Sequence, residues 1–149
     1  MVVSEIPPKL ARMRDMFKNM DRSRRIQMLI DIGETYKVVP AEIAAPPYPE
    51  DRKVPACESQ AYVWAVDQEP GLKFYFAVEN PQGVSAKATA ALIDRTCSGA
   101  PLEQVAAIPP DIIYEIFGAE LSIGKNMGLT NMLAMCRHEA KKRIETKTA

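Results

Sequence analysis

Three thiols, one imidazole and a Gly-Lys-Asn step are the groups in this 149-residue chain best equipped for covalent or phosphate chemistry. A cysteine acts as a nucleophile through its thiolate, so its surroundings decide its use. Cys136 recurs with Leu129, Met132, Leu133 and Ala140 at helical spacing, which marks it as a small core residue. Cys97 ends a helical pattern, where the helix dipole disfavours a thiolate and makes a poor nucleophile. Cys57 differs: it follows a proline-rich stretch, precedes a strand and is flanked by Glu58, Ser59 and Gln60. Free cysteines are mostly buried, so polar flanks need a reason. Arg52 and Lys53 favour a thiolate there, Asp51 and Glu58 oppose one, and the residues alone leave packing and chemistry both open. His138 lies off the apolar stripe of its helix; alone it forms no metal site, and no residue is evident to orient it as a base. Gly124-Lys125-Asn126 lacks the upstream glycine and the Ser or Thr of a phosphate loop.

The elements that must position these groups follow from the periodicity. Ile6, Leu10, Met13, Phe17 and Met20 fall at spacings of 4, 3, 4 and 3, an amphipathic helix. Asp21 caps a second helix with Ile26, Leu29, Ile30 and Gly33 on one face, running toward Tyr36. Five of the twelve prolines fall within 40–55 (Pro40, Pro46, Pro47, Pro49, Pro55), which excludes a helix or central strand. The stretch is therefore a long loop, and such loops are usually functional or disordered. Residues 60–66 are strand-like by composition, and 72–79 alternate, with Leu72, Phe74, Phe76 and Val78 on one face. The Pro70-Gly71 turn signal joins them into an antiparallel hairpin. Helices are expected from Val84 to Cys97, after Pro101, from Asp111 to Phe117, and from about Asn126 to Arg143. The expected fold is α+β: a small antiparallel sheet, a hairpin or three strands, covered on one side by helices in two layers.

Bulk properties narrow the function classes. The length suits a single domain over residues 1–149, with its core at about 6–145 and the cysteine loop at 40–59. Nineteen basic and nineteen acidic side chains give zero net charge, which argues against a dedicated nucleic-acid binder. The charges are nonetheless segregated: residues 1–37 carry +3, residues 38–121 carry −7 and residues 122–149 carry +4. Solvated helix faces account for this, and a basic patch where the termini meet is the sharper expectation. Three scattered cysteines without a CxxC pair exclude a disulfide framework and a zinc ribbon, and they favour a reducing compartment. No apolar run approaches membrane-spanning length, and Glu5 with Pro7-Pro8 leaves no signal-peptide core, so a cytoplasmic location is expected.

Around Cys57 the order of residues resembles a known family. Val54-Pro55-Ala56-Cys57-Glu58-Ser59-Gln60 resembles the signature of the SufE family, a V-x-G-C-x-S-Q-V-W stretch. The 25–33 run (Arg25 to Gly33) is similar to that family's second helix, which ends in "ELG". Ser85–Leu92 is similar to its "KGLAAL" helix, Ser98–Val105 to its "SG-x-x-P-x-E-I" step, and Leu121–Leu129 to its "LSPSRxxGL" approach to the last helix. These matches are collinear over most of residues 10–145. Departures are Ala56 for the usual glycine, Tyr62 for the usual tryptophan with Trp64 two residues on, Glu79-Asn80-Pro81 for an acidic stretch, and Gly124-Lys125 for Ser-Arg.

The resemblance implies a two-layer SufE-like sandwich and a sulfur carrier rather than a self-sufficient enzyme. It implies that Cys57 accepts persulfide sulfur from a SufS-like, PLP-dependent cysteine desulfurase, stimulating it, and passes the sulfur to iron–sulfur scaffold proteins. The PLP belongs to the partner, and this chain needs no cofactor or metal. A mobile loop would suit a cysteine that enters another protein's active site. Lys125 and Asn126 are the implied partner contacts, with a capped, solvated helix start as the plainer reading. Monomer or homodimer stays open, and neither nucleic acid nor membrane is an expected partner. The alternatives are an adaptor that binds a desulfurase or scaffold without carrying sulfur, and a thiol redox sensor.

Overall fold

A computed structural model describes residues 5–148. The chain runs α1 (Pro8–Lys18), α2 (Arg22–Glu34), the proline loop with a short 3₁₀ turn (Glu50–Arg52), β1 (Ala61–Gln68), β2 (Gly71–Val78), α3 (Val84–Cys97), α4 (Leu102–Ala106), α5 (Ile112–Phe117) and α6 (Ile123–Thr148). It is an α+β fold with one two-stranded antiparallel sheet. No third strand forms among the described residues; single bridges, Lys53 to Tyr62 and Gly71 to Pro101, flank the hairpin instead.

Each element has a local cause. Asp21 caps α2 by accepting from the Arg24 N–H at 2.9 Å. Its buried face is Leu29 and Ile32, while Ile30, expected on that face, is 39% exposed. Ile32 falls three residues after Leu29, in helical step, and Ile30 turns away. The hairpin pairs Ala61 with Val78 through Gln68 with Gly71, leaving Glu69-Pro70 as its loop. Gly71 is required there because the 98–101 segment crosses it: a Cβ would lie 1.8 Å from the Ala100 carbonyl oxygen.

The hairpin is coated on both faces. Ala61, Val63, Leu72, Phe74 and Phe76 join the helices in the main core. On the other face Tyr62, Trp64 and Ala77 are buried, covered by Val39, Ile43, Ala44 and Tyr48 of the proline loop. The Tyr48 ring centroid stands 5.1 Å from Tyr62 and 5.2 Å from Trp64, within the range of favourable aromatic pairs. Helices thus cover one side of the sheet as expected, and the proline loop serves as the second cover.

Helix α6 begins three residues before the expected Asn126 and extends past Arg143 to Thr148. Ser122 sets the start, its hydroxyl accepting from the Lys125 N–H at 3.2 Å. Leu129, Met132, Leu133, Cys136 and Ala140 form its buried stripe, the large side chains contributing roughly 1.5–3 kcal/mol each.

Part of the segregated charge pairs across the fold. Arg22 reaches Glu120 at 2.6 Å, and Arg14 and Lys18 approach Glu115. Arg143 reaches Asp67 at 3.3 Å, and Lys147 approaches Glu69. Five basic side chains of the two ends are thus paired with the acidic middle.

Candidate functional site

The 54–61 segment that carries Cys57 is held at both ends. The Val54 N–H donates to the Ala61 carbonyl at 2.8 Å, and the Gln60 N–H to the Cys57 carbonyl at 3.2 Å. The Asn80 N–H donates to the Ser59 carbonyl at 3.1 Å. Two non-glycine residues take left-handed backbone here, Ala56 with φ 55° and Gln60 with φ 53°. Ala56 thus occupies the conformation that glycine adopts without steric cost.

Helix α6 clamps the segment from beneath. Asn131 Nδ2 donates to the Pro55 carbonyl at 2.8 Å. Gly128 lets the backbones touch: a Cβ there would meet the Cys57 Cα at 3.0 Å and the Ala56 carbonyl oxygen at 3.1 Å. Farther along α6, Arg52 approaches the buried Glu139 carboxylate at 3.8 Å. Glu139 also holds Arg143 at 2.6 Å and Lys142 at 3.1 Å. Burial raises the Glu139 carboxyl, but hydrogen bonds from Arg143 and Lys142 outweigh it and hold the group below its ordinary range. Arg52, expected to act on the Cys57 thiolate, is instead committed to Glu139. The expected slack in this loop is replaced by anchors on α6 and on the segment just after β2; accessibility comes from surface placement.

Cys57 is half-buried on the wall of a cleft of about 380 Å³. The opposite walls are the N-terminal turns of α3 (Gly83 to Ala86) and α6 (Gly124, Lys125, Gly128, Leu129). Unpaired N–H groups at helix N-termini favour negative charge nearby. Asn80, where the family pattern is acidic, lines the cleft and accepts from the Gln82 N–H at 2.9 Å. Glu58 lines this cleft as well, and a second, shallower hollow on the other flank of Cys57 shares Glu58 and adds Lys53 and Glu50.

Of the residues expected to act together, Cys57 and Lys125 line one cleft. Asn126 does not line it; its Oδ1 accepts from the Thr130 hydroxyl at 3.3 Å, one turn on. His138 is exposed on α6. Cys97 is buried, and burial pushes its thiol up to about 12. Cys136 is 0% exposed, and burial raises its thiol strongly as well. At neutral pH neither supplies appreciable thiolate. Gly128, Asn131 and Glu139 escaped the sequence reading. Gly128 and Asn131 fall within and just past the "LSPSRxxGL"-like stretch, the one signal that pointed to them. Among the described residues, no group of three or more His, Cys, Asp or Glu is placed to hold a metal ion.

This architecture, a short hairpin backed by helices with a clamped cysteine loop, defines a class that sequence comparison identifies. Residues 11–140 match the SufE family, described as an Fe-S metabolism associated domain, and the chain belongs to that family. It is 28% identical over 141 residues to SufE-like protein 1, chloroplastic/mitochondrial, of Arabidopsis thaliana, matching 93% of this chain and 36% of that protein. The chain therefore spans about a third of that relative's length. A solution structure of a hypothetical protein from Thermus thermophilus shares the fold, with a TM-score of 0.74 and 23% identity over 94% of this chain and 98% of that one. No helix of the described residues is long and apolar enough to cross a membrane.

Proposed function

We propose that this protein accepts sulfane sulfur on Cys57 from the persulfide of a PLP-dependent cysteine desulfurase and hands it on for iron–sulfur cluster assembly. The observation that carries this reading is the contrast among its three thiols: Cys57 lines an open cleft on a fixed loop, while Cys97 and Cys136 are buried. In the transfer, the Cys57 thiolate attacks the outer sulfur of the partner's Cys–S–SH. A new S–S bond forms at Cys57, the partner's S–S bond breaks, and the partner's cysteine leaves as a thiolate. No net oxidation or reduction occurs. The N-terminal turns of α3 and α6 and the Lys125 side chain border the cleft into which the partner's persulfide must enter. Holding Cys57 fixed lowers the entropy lost on reaching the reactive geometry.

The test is intact-mass analysis after incubation with a cysteine desulfurase and L-cysteine. Wild type gains one sulfur atom, and Cys57→Ser gains none. A sulfur adduct on Cys57→Ser, or none on wild type, rejects the carrier role. Desulfurase stimulation that survives in Cys57→Ser assigns the protein as an adaptor instead.

A further inference from the structure

A concavity away from Cys57 lies along the free edge of β2. It is a groove of about 500 Å³ between β2, the start of the proline loop and α3. Ala90 and Ala91 of α3 line it, and their small side chains leave a narrow gap over the middle of the strand edge, at Phe74 and Phe76. In a two-stranded sheet one edge of each strand lacks a strand partner. The pairing register directs the N–H and C=O groups of Leu72, Phe74, Phe76 and Val78 outward from β1.

Most of this edge is capped by the protein itself. The Gly99 N–H donates to the Leu72 carbonyl and the Val39 N–H to the Phe76 carbonyl, both at 2.8 Å. The Phe74 N–H donates to Ser98 Oγ at 3.1 Å, and the Val78 N–H to the Tyr36 hydroxyl at 2.9 Å. Between these caps, the Phe74 carbonyl and the Phe76 N–H have no hydrogen-bond partner among the described residues, and both residues line the groove. Buried backbone groups are rarely left unpaired. One residue of an extended chain running parallel to β2 satisfies both, its N–H donating to Phe74 and its C=O accepting from Phe76.

The rim selects the charge of that chain. Lys37, Lys73 and Arg95 line the groove against a single carboxylate, Asp94. Asp94 is already engaged by Lys73 and the Ser98 hydroxyl, each at 2.6 Å. Arg95 donates to the Thr35 hydroxyl, and among the described residues neither Arg95 nor Lys37 has a carboxylate partner. In a protein of zero net charge, this is a local positive excess beside an open strand edge.

We propose that the β2-edge groove is a docking site for an acidic, extended segment of a partner protein, held by strand addition at Phe74 and Phe76 and by Lys37 and Arg95 on its rim. The probe is the peptide acetyl-Glu-Glu-Val-Glu-Glu-amide, followed by backbone amide NMR of the full chain. Saturable shifts are expected at the Phe76, Ala91 and Arg95 amides. Raising salt from about 0.05 M to about 0.3 M weakens binding about tenfold. Methylating the valine amide nitrogen of the peptide removes the donor to Phe74 and weakens binding about tenfold, with the protein itself unchanged. The double variant Lys37→Glu/Arg95→Glu loses binding, whereas Cys57→Ser binds as wild type. The proposal is overturned if the Phe76 amide does not move, if the N-methylated or an all-lysine peptide binds equally well, or if Cys57→Ser abolishes binding.

Discussion

Around Cys136 the chain packs a helix stripe into the main core, whereas around Cys57 it packs polar backbone against a helix. The same side chain therefore does two jobs. In the first region desolvation keeps the thiols of Cys97 and Cys136 protonated and out of reach. In the second, backbone hydrogen bonds, the Asn131 amide and the close approach of Gly128 hold the loop with Cys57 half-buried on the cleft wall. Rigidity in the core comes from apolar area; at the site it comes from a few directional contacts, each of which can be removed singly.

The largest expected effect tests the contrast itself. Under native conditions a thiol reagent should modify Cys57 at least about a thousandfold faster than Cys97 or Cys136, which react only after opening of the core. Peptide mapping of the alkylated protein checks this, and comparable rates at all three would erase the distinction. Next, Gly128→Val pushes a branched side chain into the Cys57 backbone. It should cost about 2 kcal/mol and slow sulfur uptake, read by thermal unfolding and persulfide formation. Unchanged values for both would mean the α6 contact does not set the loop's position.

Glu139→Gln should cost roughly 1.5 kcal/mol at neutral pH, because it weakens charge-assisted bonds to Arg143, Lys142 and Arg52. The folded carboxyl lies below its ordinary value of 4.5, so its support is complete above that pH and is lost as pH falls through the lowered value. Wild type and Glu139→Gln should therefore converge in acid-denaturation profiles; parallel profiles would contradict this. Asn131→Ala should cost about 1 kcal/mol by stripping the Pro55 carbonyl of its donor, and should slow Cys57 persulfide formation while leaving the core thiols protected. Thermal unfolding and persulfide mass analysis check both. The smallest effect has the opposite sign. Ala56→Gly relieves the left-handed φ of 55° and should stabilise by about 0.5 kcal/mol, net of glycine's extra unfolded-state entropy. Destabilisation by Ala56→Gly in denaturant unfolding would show that the loop carries no strain there.

Much of this is legible in the residues. The bounds of α3, Val84 to Cys97, follow from its helical pattern, and the alternation of 72–79 assigns both faces of β2 correctly. The α6 stripe follows from spacing alone, and Cys57 stands out by its polar flanks and its motif. The misreadings have separate causes. Ile30 against Ile32 is decided by the angle at which α2 meets α3, and a single helix's period leaves that angle open. The early start of α6 depends on a Ser122 cap that competes with other turn conformations. Charges summed along the chain suggest a basic patch, but pairing depends on which elements become neighbours.

What the sequence determined by itself was local and periodic: helices from their 3.6-residue stripes, strands from alternation, the exclusion of regular structure by five clustered prolines, and the family through collinear motifs. Those signals arise from near neighbours in the chain. What only the tertiary structure decided was nonlocal. Gly128 and Asn131 meet a loop about seventy residues away, and Glu139 gathers Arg52 onto α6. The middle of the β2 edge, between the caps from Ser98 and Val39, lies in a groove that Ala90 and Ala91 line. Such contacts follow from how elements pack in three dimensions, and no pattern within one segment encodes them.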